Sequence, residues 1–339
     1  MTVLVGILAA AALTLGPAAS TDAAQVLPTE FEAGHFHAVP ETTDGQKLKL
    51  LVDTGGGGTD GMYWITEAAA KRLHLETRSC TIRNRQVTVA AVPIYKPGLG
   101  LPLPLSGPCG EAVLVFGESD GAGQLRGDGQ LGAAYLQGRI WTFDYPAQQL
   151  SLEAATWRPG PDTHATGLGF KRAGYGKPAG AFPRIIIGVD GKPLGMLLDT
   201  GATAHPTAAG KAASGLATVD GEGVASYITT SMLDHWHKTH PDWRVVENSD
   251  DLFAPQFMAR MIEVPEVQIA GWSIGPVWFT ERPDAAFHNF MGRMMDKAPE
   301  GALGGNVLGH FVMTIDYPEA TAYFRCAQGC KASASRPKP

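Results

Sequence analysis

One stretch of this chain is written twice. Asp44 to Gly55 reads Asp-Gly-Gln-Lys-Leu-Lys-Leu-Leu-Val-Asp-Thr-Gly, and Asp190 to Gly201 reads Asp-Gly-Lys-Pro-Leu-Gly-Met-Leu-Leu-Asp-Thr-Gly, aligned without a gap. A duplication constrains the fold more than composition does, because each copy is one supersecondary unit that must find an equivalent place. In both, Asp-Gly marks a turn between strand-like runs, and the second run stays apolar until it ends in Asp-Thr-Gly. That is a hairpin delivering an aspartate, Asp53 or Asp199, into a loop.

The order of later features is duplicated as well. Gln130-Leu131-Gly132 leads into Ile140 to Pro146, and Val307-Leu308-Gly309 leads into Val312 to Pro318, each run ending in Asp-Tyr-Pro. Further apolar runs follow, Leu150 to Leu152 and Ala322 to Phe324. The expected organisation is an N-terminal lobe at 21–158, a linker rich in Pro, Gly and small polar residues at 159–168, a C-terminal lobe at 169–330 and a disordered tail at 331–339. With 42 Gly, 24 Pro and only 18% charged residues, the chain suits short strands and turns better than long helices. Short helices are expected at Thr66 to Leu75, with Thr66 as cap, and at Ser231 to His240. A hairpin is expected in Val264 to Thr280, around Ala270-Gly271.

The formal net charge of −6 gives no basis for a nucleic-acid partner. Val3 to Leu15 is almost continuously apolar, followed by small residues at Ala18 to Ser20, so residues 1–20 read as an export signal and the mature protein as secreted or periplasmic. No later run is long enough for membrane insertion. Cys80, Cys109, Cys326 and Cys330 allow three pairings in an oxidising compartment, of which the local one, Cys80 with Cys109 and Cys326 with Cys330, is expected. A four-thiolate zinc site is the rival, but the two close Cys-x-x-Cys pairs it needs are missing.

A single Asp-Thr-Gly occurs by chance in roughly one chain in fifteen of this length. Two, each ending an apolar run in matched copies, ask for a chemical reason, since burying an ionised carboxylate is costly without donors or a shared proton. Two carboxylates about 3 Å apart cannot both ionise, so one ionised member takes a proton from water while its neutral neighbour donates to a carbonyl. The aspartic-protease pair is the standard example of that split. Asp53 and Asp199 are therefore the candidate catalytic residues, with neither role assigned to one alone. Gly55 and Gly201 permit close backbone approach, and Thr54 and Thr200 have hydroxyls able to reach the opposite loop.

Two copies of apolar-apolar-Asp-Thr-Gly, each followed later by apolar-Leu-Gly, resemble the aspartic peptidases of the retropepsin and pepsin type. The resemblance covers both lobes. It implies a mainly β fold of two homologous β-barrel-like lobes with a few short helices, an active-site cleft between them, a peptide or protein substrate, no cofactor or metal, and a monomer. It also implies that Leu131-Gly132 and Leu308-Gly309 support the aspartate loops. After Asp-Thr-Gly the family usually has Ala, Ser or Thr. Ala202 fits, whereas Gly56 belongs to a looser run of four glycines, Gly55 to Gly58. Family members cover the substrate with a hairpin flap, for which Val87 to Tyr95 is a candidate, and Tyr63, Trp64 and Tyr95 read equally as core aromatics.

The alternative reading is a catalytically inactive binding module of the same fold, for peptides or cell-envelope components. In His235-x-His237-x-x-His240 the first two histidines fall on different faces of a helix and the His-Glu-x-x-His arrangement of a zinc site is missing, and His35-x-His37 stands alone. Asp144 and Asp316, before their Pro turns, read as turn-capping residues. The glycine run lacks the Gly-Lys-Ser/Thr of a phosphate loop.

Overall fold

The structure is a computed structural model and describes residues 24–105, 107–117, 126–172 and 180–333. The expected export signal and residues 334–339 of the expected tail lie outside the described residues.

The fold is mainly β, and its two lobes repeat one order over seven strands, the eighth, at the sheet edge, coming from different places in the two copies. In the first lobe the sheet runs, in space, Thr29–Glu32, His35–Ala38, Leu50–Asp53, Gly129–Gly132, Trp64–Thr66, Ala112–Phe116, Arg85–Ala91 and Thr77–Ile82. In the second it runs Val267–Ile269, Arg184–Val189, Lys192–Leu198, Gly301–Leu303, Ser226–Thr229, Val277–Arg282, Phe257–Val264 and Val245–Phe253. Trp272–Ile274 and Lys331–Ala332 extend this second sheet beyond Val267–Ile269. Lys331 and Ala332, expected in a disordered tail, are thus paired strand, because the unpaired edge of Trp272–Ile274 offers them backbone partners.

The register fixes which residues correspond. Leu50–Asp53 lies parallel to Gly129–Gly132 with Val52 opposite Leu131, and Lys192–Leu198 lies parallel to Gly301–Leu303 with Leu198 opposite Leu303. The second-lobe counterpart of Leu131-Gly132 is therefore Leu303-Gly304, which corrects the alignment on Leu308-Gly309. Leu308 ends the helix Gly305–Leu308 that follows the strand, and Gly309 is its C-cap. Gly301-Ala302-Leu303-Gly304 is the true echo of Gly129-Gln130-Leu131-Gly132, standing equally far from the next Asp-Tyr-Pro.

Between the lobes a third sheet is shared, in the order Gln25–Val26, Gln149–Leu152, Ile140–Asp144, Phe311–Asp316, Thr321–Cys326, Thr163–Gly167. At its centre Thr142 faces Thr314, one from each copy, with hydroxyls 2.9 Å apart. The segment expected as a loose linker contributes Thr163–Gly167 to this sheet, antiparallel to Thr321–Cys326, since the edge of the shared sheet satisfies its amides and carbonyls. Asp144 and Asp316 cap the turns that follow, accepting from Ala147 N at 2.9 Å and Glu319 N at 3.0 Å. One continuous apolar cluster runs from Phe36, Val52 and Tyr63 through Trp141, Phe143, Met313 and Phe324 to Ile187, Leu198 and Phe279. The lobes therefore share a core through the central sheet, and their relative placement is fixed by side-chain packing.

Thr66 caps the helix Glu67–Arg72 by accepting from Ala69 N at 3.1 Å, and the second expected helix spans Thr230–Thr239. The turn Ala270-Gly271 joins Val267–Ile269 to Trp272–Ile274. Disulfides join Cys80 to Cys109 and Cys326 to Cys330, with Cα atoms 6.0 and 6.1 Å apart, as befits an oxidising environment. Among the described residues no helix is long and apolar enough to cross a membrane.

Candidate active site

The apolar runs Leu50–Asp53 and Lys192–Leu198 are interior strands, and each carries its aspartate to the junction of the lobes. Asp53 and Asp199 are each 8% exposed and their carboxyl groups are in hydrogen-bonding contact. Around them the loops clasp one another. Thr54 Oγ1 donates to Leu198 O at 2.6 Å and accepts from Thr200 N at 3.0 Å. Thr200 Oγ1 donates to Val52 O at 2.8 Å and accepts from Thr54 N at 3.1 Å. These four bonds are buried, so separating the lobes strands six polar atoms in an apolar setting.

Gly55 N donates to Asp53 Oδ1 at 2.8 Å, and Gly201 N donates to Asp199 Oδ1 at 3.1 Å. A Cβ on Gly55 would lie 2.4 Å from Asp199 Cγ, and one on Gly201 would lie 2.2 Å from Asp53 Cγ. Glycine at both places is what lets each carboxyl group approach the opposite loop. Gly132 and Gly304 stand behind these loops: an added Cβ would meet Gly57 O at 1.8 Å in the first lobe, and in the second Ala225 O at 1.7 Å and Ala202 Cβ at 2.9 Å.

Burial raises the pKa of both aspartates. For Asp53 the hydrogen bonds from Asp199 and from the amides of Gly55, Gly56 and Gly201 work against that rise. For Asp199 the charge of Asp53 adds to burial and lifts it well above the usual carboxylate range. The pair thus favours a singly protonated state.

A feature absent from the sequence reading is the side chain of Gln130. Its Nε2 donates to Asp53 Oδ2 at 2.5 Å, and its Oε1 accepts from Trp64 Nε1 at 3.0 Å. Gly56 makes room for it, since a Cβ there would fall 2.5 Å from Gln130 Nε2. The looseness that the glycine run implied is filled by this amide. The only signal in the sequence was a polar residue inside an otherwise apolar strand.

Of the three aromatics, Trp64 alone reaches the aspartates, through Gln130. Tyr63 and Tyr95 bond each other, hydroxyl to hydroxyl at 2.8 Å, and Tyr63 is fully buried. Of the flap candidate, Val87 to Ala91 belongs to the strand Arg85–Ala91, in a hairpin with Thr77–Ile82 that the Cys80–Cys109 bond ties down. His35 crosses the lobe junction, its Nε2 lying 3.3 Å from Ala202 O and 3.1 Å from Thr203 Oγ1. Burial lowers its pKa to about 4, and likewise that of His37. Both line an open groove of ≈ 1310 Å³ between the lobes, with Leu51, Thr203, Phe253 and Phe290. His235 and His237 are exposed on their helix while His240 stacks on Trp243 at 4.3 Å. Among the described residues no three His, Cys, Asp or Glu side chains form a metal-holding group.

No family model matches the chain, and no curated protein does. Solved structures similar to it include an aspartic proteinase and a soybean globulin. The aspartic proteinase from Irpex lacteus is 11% identical, with 91% of this chain and 98% of that chain covered and a TM-score of 0.47. Basic 7S globulin from soybean is 12% identical, with 90% and 95% covered and a TM-score of 0.46.

Proposed function

We propose that this chain is an aspartic endopeptidase that hydrolyses peptide bonds with a water activated jointly by Asp53 and Asp199. The observation that carries the reading is the pair itself: two buried carboxyl groups in contact, held by reciprocal threonine bonds beside an open interlobe groove. The ionised member removes a proton from water as its oxygen bonds the scissile carbonyl carbon, and the neutral member protonates the carbonyl oxygen. Collapse of the resulting diol then passes a proton to the departing amine nitrogen, and no covalent adduct with the enzyme forms. Thr54, Gly55, Gly56, Thr200, Gly201 and Ala202 shape the loops, while Leu131-Gly132 and Leu303-Gly304 support them from below.

No cofactor enters this chemistry. The groove suits an extended peptide, with Phe253 and Phe290 as partly exposed apolar contacts. With both loops in one chain the active unit is a monomer, and its two disulfides agree with a secreted or periplasmic setting.

The test is peptide-library cleavage by the mature protein from about pH 3 to about pH 8, beside Asp53→Asn and Asp199→Asn. Cleavage should fall by about 10²–10⁴-fold in either variant and be indifferent to chelators. Activity surviving both substitutions sinks the mechanism. Peptide binding without any cleavage favours the inactive binding module.

A further inference from the structure

The pair is symmetric in its loops but not in what stands behind them. Strand register makes Gln130 and Ala302 equivalents: Gln130 lies opposite Trp64 in one lobe, and Ala302 opposite Tyr227 in the other. Gln130 places an amide on Asp53, whereas Ala302 has no polar side-chain atom to offer Asp199.

The orientation of that amide is settled by chemistry. An indole N–H only donates, so Gln130 Oε1 must face Trp64 Nε1, and the NH₂ group is left facing Asp53 Oδ2. Gln130 and Trp64 are 5% and 3% exposed, so water does not compete strongly for either bond. Asp53 therefore accepts on both oxygens, from Gly55 N on Oδ1 and from Gln130 on Oδ2. Donors to both oxygens favour the ionised carboxylate.

We propose that Gln130, held by Trp64, is the positioning residue that breaks the symmetry of the pair, keeping Asp53 as the ionised proton acceptor and leaving the shared proton on Asp199. This rests on the peptidase reading for its catalytic meaning. Asp53 then takes the proton of the attacking water, and the proton on Asp199 goes to the carbonyl oxygen. In the second half, Asp53 gives its proton to the amine nitrogen as the C–N bond breaks, and Asp199 recovers one from the diol hydroxyl.

Among the described residues the other titratable or charged groups facing the pair are Tyr145 and Tyr227 toward Asp199, Tyr317 toward Asp53, Arg282 over the Tyr227 ring, and His35 beside Ala202. Burial holds the phenols neutral in the acid range, but His35 titrates near 4, so activity profiles alone would mix its ionisation with that of the pair.

The deciding experiment is ¹³C NMR titration of the aspartate carboxyl carbons in wild type, Gln130→Met, Gln130→Glu and Trp64→Phe, with resonances assigned from Asp53→Asn and Asp199→Asn. Gln130→Met keeps the volume and removes the donor. It should raise the Asp53 titration by about one pH unit and move the acidic limb of kcat/KM up with it. Gln130→Glu should shift it further, and Trp64→Phe, which frees the amide, should shift it less but in the same direction. An unmoved Asp53 titration in folded Gln130→Met, or a shift confined to Asp199, overturns the proposal. If Gln130→Met does not fold, Trp64→Phe decides by the same reading: an upward shift supports the proposal and no shift overturns it. Wild-type protein that cleaves no peptide refutes the peptidase reading, while the titration still decides what Gln130 does.

Discussion

The two lobes fill equivalent backbone places with different chemistry. In the first, Trp64 stacks on Phe116 at 5.1 Å and donates to Gln130. In the second, the same places hold Tyr227 and Arg282, the guanidinium 4.3 Å from the ring centre, and Tyr227 donates to the backbone of its own loop at Thr203. Arg282 is itself buried and paired with Asp250 at 3.0 Å, and Asp250 Oδ2 also accepts from His205 N at 2.7 Å. One aspartate loop is therefore backed by an aromatic stack and a neutral amide, the other by a buried ion pair. The reciprocal threonine bonds, in contrast, are matched on both sides. Where the lobes must meet each other the duplication is kept, and where each meets only its own core it has diverged.

That contrast is most sharply broken by Arg282→Met. It leaves Asp250 charged and unpaired in the interior, with an expected loss of about 3–5 kcal/mol in denaturant unfolding, while Phe116→Leu at the matching place should cost about 1 kcal/mol. Equal losses would mean that the ion pair adds nothing beyond packing.

The disulfides give the next effect. Cys80–Cys109 closes a sequence separation of 29 and Cys326–Cys330 one of 4, so replacing each pair by Ser should cost about 3–4 and about 2 kcal/mol respectively. Thermal unfolding of the two variants, compared with wild type under one condition, checks the order.

Gly56→Ala in the first lobe should destabilise by about 1–3 kcal/mol, because its Cβ meets Gln130 and Asp53, whereas Ala202→Gly should cost under about 1 kcal/mol. In a Gln130→Ala background the Gly56→Ala penalty should shrink, since one of the two obstacles is gone. A double-mutant cycle measures that coupling.

The smallest effect is in pH. The folded state raises the pKa of the pair above the unfolded aspartate value of 3.8, so it holds more protons than the unfolded chain above that value. The associated stability is complete below the unfolded pKa and is lost as pH rises through the folded one, at up to about 1.4 kcal/mol per pH unit for one proton. Either Asp53→Asn or Asp199→Asn should flatten that slope, because the raised titration belongs to the pair. Unfolding free energies measured across the acid range test this.

Much of this was legible in the chain. Duplicated Asp-Gly turns, apolar runs and Asp-Thr-Gly determined two related β lobes and the pair Asp53 and Asp199, because local patterns of turn, strand and loop are written in neighbouring residues. The correspondence of Leu303-Gly304 with Leu131-Gly132 was also written there, but a nearer Leu-Gly obscured it until parallel strand pairing fixed the register. Sequence could not tell that 163–167 and 331–332 are strands, because their partners are remote sheet edges whose open hydrogen bonds exist only once the fold has formed.

The sequence by itself determined that two aspartates end two equivalent strands. Only the tertiary structure decided that they touch, that Thr54 and Thr200 each cross to the other lobe, and that Gln130 occupies the space Gly56 leaves beside Asp53. Those contacts join residues far apart in the chain, and their geometry depends on how two sheets pack through a third, which no local run of residues encodes.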